Sequence, residues 1–162
     1  MKALFVVNAD QEWPFEIPGS GAVSARGYLT DPLYSNGIDA RVVNLCRADR
    51  YQGRGYYVSL LAEARGHRPL PDVKTIEDLQ SPAHIAVLAS EIDVIVQDSL
   101  QHDKSNLFEL DVYFGRDPAE MHPTLARQFF ALVKAPLLRV VFERVAGRWR
   151  LQAVRAIGAG LS

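Results

Sequence analysis

At 162 residues, with 48% hydrophobic and 23% charged positions, the chain has the length of one ordinary domain and the composition of a soluble globular protein. Its net charge of −1 supplies no global basic field for nucleic acid, and apolar runs such as Leu4–Val7 are far too short to span a membrane. A single cysteine, Cys46, excludes an internal disulfide, and no secretory signal follows Met1-Lys2, so a reducing cytoplasm is expected.

Lys2–Asn8 is a continuous apolar run, the pattern of a strand buried on both faces of a sheet. A loop from Asp10 to Gly21 follows, punctuated by Pro14, Pro18 and Gly19. Ser24 is placed to cap a short helix through Leu29, which Pro32 and Asn36-Gly37 end. Arg41–Leu45 reads as a second strand, parallel to the first by a strand–crossover–strand connection. Gly55–Arg65 is the best-marked helix, with Tyr57, Leu60, Leu61 and Ala64 at helical spacing and Gly66 as its stop. Pro69 and Pro71 forbid its continuation.

Ser81 as cap and Pro82 at the first position open a helix to about Ser99, striped by Ile85, Leu88, Ile92, Ile95, Val96 and Leu100. Phe108–Gly115 alternates as a half-buried strand. Asp117-Pro118-Ala119-Glu120 carries a capping-box signature that predicts a helix from there to about Lys134. Leu137–Val145 and Arg148–Ile157 bracket Ala146-Gly147 and should pair as a hairpin. The fold class is α/β: a parallel strand–helix N-terminal half and a C-terminal strand–helix–hairpin, expected as one three-layer or two-layer sheet domain over residues 1–162.

Arginine greatly outnumbers lysine, found only at Lys2, Lys74, Lys104 and Lys134. Genome composition explains such a bias, and so does a need for bidentate capture of carboxylate or phosphate. Arg47, Arg50 and Arg54, with Gly53 and Gly55, lie where a strand gives way to a helix, which is where ligands gather in open α/β sheets. Tyr56 and Tyr57 follow directly. The stretch is either an anion site or a solvated arginine loop with a tyrosine pair packed on the sheet. As a dinucleotide fingerprint it is incomplete, because Val58 stands at the third glycine. Ser24 and Arg26 could face the same edge, or Ser24 simply caps a helix.

Cys46 beside Arg47 is a nucleophile or a small buried strand-end residue. His67, His84, His102 and His122 are too scattered for a metal-ligand pattern. Arg139, Arg144, Arg148, Arg150 and Arg155 alternate with apolar residues on the hairpin, either as a solvated face or as a docking surface for an acidic partner.

Several segments resemble the N-terminal domain that precedes the ATP-grasp module in RimK-like ligases. They are Val23-Ser24-Ala25-Arg26-Gly27-Tyr28-Leu29-Thr30-Asp31-Pro32, Val43-Asn44-Leu45-Cys46-Arg47, the run from Gly55 to Arg68, Thr75–Leu79, Tyr113-Phe114-Gly115, Ala135–Arg139 and Gly147–Leu151. The resemblance implies an accessory α/β domain of an enzyme that activates a carboxylate as an acyl phosphate with ATP and magnesium and passes it to an amine. It connects the chain with peptide or amino-acid modification. The partner implied is an ATP-grasp module, in cis or in trans, which is not expected within residues 1–162. No catalytic residue and no metal site is carried over. The leading expectation is a substrate-orienting or docking domain that holds an amino-acid or peptide carboxylate. The alternatives are a free-standing small enzyme for a phosphorylated or carboxylate substrate, and a pure protein-interaction module.

Overall fold

The apolar N-terminal run becomes a strand, β1 (Lys2–Val7), with parallel neighbours on both sides, β2 (Gly21–Ser24) and β3 (Ala40–Asn44). A short fourth strand, β4 (Arg68–Leu70), pairs with β3 and completes the order β2-β1-β3-β4. The computed structural model describes residues 2–8, 21–35, 39–49 and 53–158. The expected loop before Gly21, the Asn36-Gly37 turn and Arg50 lie outside the described residues.

Helix α1 (Ala25–Thr30) starts where expected, with Ser24 Oγ accepting the Gly27 N–H at 3.0 Å. Helix α2 (Arg54–Ala64) ends at Gly66, whose φ of 76° is the left-handed stop. The Gly66 and His67 amides donate back to the Glu63 and Ala62 carbonyls at 3.0 and 2.9 Å, which completes a Schellman cap. Both helices cover one face of the parallel sheet, burying Leu4, Val6, Val42, Tyr28, Val58 and Ala62 together. The opposite face, with Val7, Val43 and Leu45, closes against Leu137 and Ile157.

The buried face of α2 is Gly55, Tyr56, Val58, Ser59 and Ala62, which corrects the expected stripe. Tyr57 and Leu60 remain 44% and 40% exposed. The reason is proximity. A Cβ on Gly55 would lie 2.2 Å from the Arg47 carbonyl oxygen, so glycine at 55 lets this side of α2 turn onto the end of β3.

Helix α3 (Val73–Leu79), which the prolines at 69 and 71 obscured, is capped by Asp72, whose Oδ1 accepts the Thr75 N–H at 2.8 Å. Helix α4 (Pro82–Ser99) has the expected Ser81 cap and buries Leu88, Ile92 and Val96. Strands β5 (Leu107–Tyr113), β6 (Leu137–Val145) and β7 (Arg148–Ala156) form a separate antiparallel sheet in that order. Its hairpin turns at Ala146-Gly147, as expected. Helix α5 (Pro123–Leu132) and α4 pack one face of this sheet around Ile92, Phe129, Phe142 and Trp149. Gln97 of α4 binds the exposed edge of β7 like a short strand. It donates to the Trp149 carbonyl at 2.6 Å and accepts the Trp149 N–H at 3.1 Å.

The capping box at Asp117 does not open a helix. The Asp117 carboxylate instead gathers the N–H groups of Ala119, Met121 and His122 at 2.8–3.0 Å, and α5 begins at Pro123. The carboxylate is satisfied locally, and Pro123 suits a first helical position because it has no N–H to leave unpaired. The hairpin arginines are partly consumed as well. Arg139 forks onto Asp111, Arg148 pairs with Asp93, and Arg144 donates to the carbonyls of Asp103 and Lys104. Among the described residues no single helix is long and apolar enough to cross a membrane.

The two sheets meet at a backbone seam, where the Ala48 N–H donates to the Ala156 carbonyl at 3.1 Å. Buried Asn44 ties the end of β3 to α2. Its Nδ2 donates to the Gly55 carbonyl and Ser59 Oγ at 2.8 and 2.9 Å, and its Oδ1 accepts the Cys46 N–H at 3.0 Å. Ser59 in turn donates to the Pro71 carbonyl at 2.6 Å. Replacing Asn44 by Ala strands three buried partners, so we expect Tm to fall by roughly 5–10 °C. A thermal melt within a degree of the parent would remove Asn44 from this role.

Tyr28 is fully buried, with its hydroxyl 2.7 Å from His67 Nδ1 and the Arg65 guanidinium 4.8 Å over its ring. Burial raises the Tyr28 phenol above its ordinary value, against the lowering influence of Arg65. The folded state therefore keeps this proton to higher pH than the unfolded chain does. The associated stability is intact below the unfolded pKa of about 10 and is lost as pH rises beyond it. Urea midpoints should fall above about pH 10, and by less in Tyr28→Phe.

Candidate functional site

The carboxyl ends of β1, β2, β3 and β4 share one edge of the parallel sheet, and α2 is the element that follows β3 there. Gly53 is the N-cap of α2 and has no side chain with which to cap it. Among the described residues no side chain caps this turn, whose N–H groups carry the positive end of the helix dipole. Arg54 occupies the first helical position with an exposed side chain. Arg47 lies against the same turn, its carbonyl oxygen filling the space that a side chain on Gly55 would need.

Arg47 is 53% exposed and forks onto Asp49, with Nε and Nη2 at 2.6 and 3.0 Å from the two carboxylate oxygens. The hydrogen bond and charge of Asp49 hold the Arg47 guanidinium above its ordinary value. Asp49 was not singled out in the sequence, although an acid two residues from an arginine is a visible signal. The Asp49 carbonyl accepts from Gln80 Nε2 at 2.7 Å, which ties the loop to the end of α3.

The other expected site residues separate from this cluster. Ser24 and Arg26 stand at the same edge but across β1, about 10 Å away by strand spacing. The Ser24 hydroxyl is engaged in capping α1, and the Arg26 side chain is exposed. Tyr56 turns inward among Ala48, Ile76 and Ala156, with its hydroxyl 3.5 Å from Glu77 Oε1. Tyr57 lies outside, edge-on to Tyr56 at 5.7 Å between centroids. Arg50 lies outside the described residues. The structure therefore joins Arg47, Gly53, Arg54 and Gly55 in one junction, and gives Gly55 and Tyr56 packing positions.

Cys46 is buried, with Sγ 3.7 Å from the Val6 carbonyl oxygen. No group of three or more His, Cys, Asp or Glu side chains converges among the described residues. Sequence reasoning missed Asn44, whose signal is an amide interrupting the apolar run Val42-Val43-Asn44-Leu45-Cys46.

A family model, that of the RimK-like ATP-grasp N-terminal domain, matches residues 25–160, from α1 through β7. No curated protein matches the chain.

Gly55 is the position where backbone proximity and the helix N-terminus meet. Because a methyl group at 2.2 Å from a carbonyl oxygen must displace backbone, Gly55→Ala should lower Tm by at least several degrees. A variant that melts like the parent would mean that the β3–α2 junction is less tightly closed than this.

Proposed function

This chain belongs to the family of RimK-like ATP-grasp N-terminal domains, and from that premise we propose that it serves an ATP-dependent carboxylate–amine ligase as an accessory domain, without chemistry of its own, holding a substrate carboxylate at the β3–α2 junction. One observation carries this. At the carboxyl edge of a parallel sheet, a helix N-terminus with no side-chain cap among the described residues coincides with two exposed arginines, Arg47 and Arg54.

A carboxylate at that point would accept from the first-turn N–H groups and from the Arg54 guanidinium through charge-assisted hydrogen bonds. Arg47 is held in place by Asp49, and with 53% of its side chain exposed its guanidinium keeps donors free for an incoming carboxylate. In this proposal ATP and magnesium belong to the ATP-grasp module, in cis or in trans, and the domain presents an amino-acid or peptide carboxylate to it. The setting is the cytoplasm, where a lone buried thiol such as Cys46 stays reduced.

Calorimetric titration with short acidic peptides tests the site. The chain should bind saturably, and the Arg47→Ala/Arg54→Ala double variant should lose at least about tenfold in affinity with Tm nearly unchanged. Equal affinity in the double variant would end the assignment, and saturable binding of ATP–magnesium instead would favour a free-standing enzyme.

A further inference from the structure

A second cleft, of about 490 Å³, opens between the end of β5 and the start of α5, on the other sheet from the β3–α2 junction. Its volume falls within the range of small-molecule sites, about 300–1,000 Å³. Phe114 and Phe130 supply its apolar walls, while Arg116, Arg127, Asp117 and Glu120 supply charge.

Two features of this cleft are unexplained by folding. The first is Phe114. Tyr113 and Arg116 exchange backbone hydrogen bonds of 2.8 and 3.0 Å across a two-residue turn whose central residues, Phe114 and Gly115, have φ of 50° and 82°. Turns of this kind favour Asn or Gly at the first central position, and a bulky aromatic there is strained. Phe114 is not a core residue either, with 45% of its surface still exposed. A strained aromatic held out at the mouth of a cleft is a feature of ligand sites.

The second is charge. Arg116, Arg127 and Glu120 share the cleft, yet none of the three forms an ion pair among the described residues. Asp117 is already committed to three backbone N–H groups. Charges of both signs thus line one cleft without neutralising each other, beside two aromatic rings.

We infer that this cleft binds a zwitterion carrying a flat apolar group, an α-amino acid with an aromatic side chain. Its carboxylate is received by Arg116 and Arg127, its ammonium by Glu120, and its ring lies against Phe114 and Phe130. The guanidinium fork suits a carboxylate, and offset aromatic contacts suit the ring. The site does not rest on the role proposed for the β3–α2 junction.

The test is titration of the full chain with L-phenylalanine, followed by calorimetry and by the amide resonance of Gly115. Three analogues, each lacking one feature, are titrated alongside: 3-phenylpropionate without the ammonium, phenethylamine without the carboxylate, and alanine without the ring. Phenylalanine should bind saturably and each analogue about tenfold or more weakly. Arg127→Ala should cost a similar factor, whereas Arg47→Ala/Arg54→Ala should leave this binding untouched. Phe114→Asn, which suits the turn better, should raise Tm by about 2–4 °C while weakening binding. No saturation by phenylalanine, equal binding of 3-phenylpropionate, or full affinity in Arg127→Ala would each overturn the assignment.

Discussion

Residues 45–48 run between two glycines, and the organisation of the molecule depends on that confinement. A Cβ on Gly55 would press on the Arg47 carbonyl from one side, and a Cβ on Gly158 would lie 2.8 Å from the Arg47 amide nitrogen on the other. With no side chains in the way, α2 lies directly on the end of β3, and the end of β7 reaches the same backbone through Ala48. Asn44 makes the arrangement tolerable in a dry interior, because its amide satisfies polar groups that close packing would otherwise strand. The placement of the α2 N-terminus at the sheet edge follows from this packing.

Arginine plays two separable parts here. Arg139, Arg144 and Arg148 are spent on the fold, joining β6 to β5, the hairpin to the loop after α4, and β7 to α4. Arg54, Arg116 and Arg127 make no ion pair among the described residues and stand beside concave or uncapped backbone. Composition alone could not divide the two sets. The division depends on which acid lies across a strand, as Asp111 does from Arg139.

The elements legible in the sequence were those whose signals are local. Ser24, Ser81 and Gly66 sit at helix ends because their own chemistry fits there, and Ala146-Gly147 turns the hairpin for the same reason. β4 was hidden by Pro69, which is tolerated because β4 lies at the edge of its sheet. β2 was hidden by its four-residue length and by Ser24 serving both strand and helix. The face of α2 was misread because the close approach of Gly55 to the Arg47 carbonyl, rather than the apolar spacing, sets which side turns inward. At Asp117, turn and cap share one sequence signature, and only the local backbone distinguishes them. In the candidate site the clustering of Arg47, Gly53, Arg54 and Gly55 was readable from adjacency. The inward turn of Tyr56 and the β1-wide gap to Ser24 required the strand order.

The seam also orders events in time. The parallel sheet is synthesised before the antiparallel one, yet its back face, Val7, Val43 and Leu45, packs with Leu137 and Ile157 from the later part of the sequence. Tyr113 of β5 covers part of that underside, and Leu137 and Ile157 of the hairpin region complete the cover. These partners lie 94 to 150 residues apart in sequence (43 to 137, 7 to 157), so closing this face carries a loop-closure cost that the local helix and hairpin contacts do not.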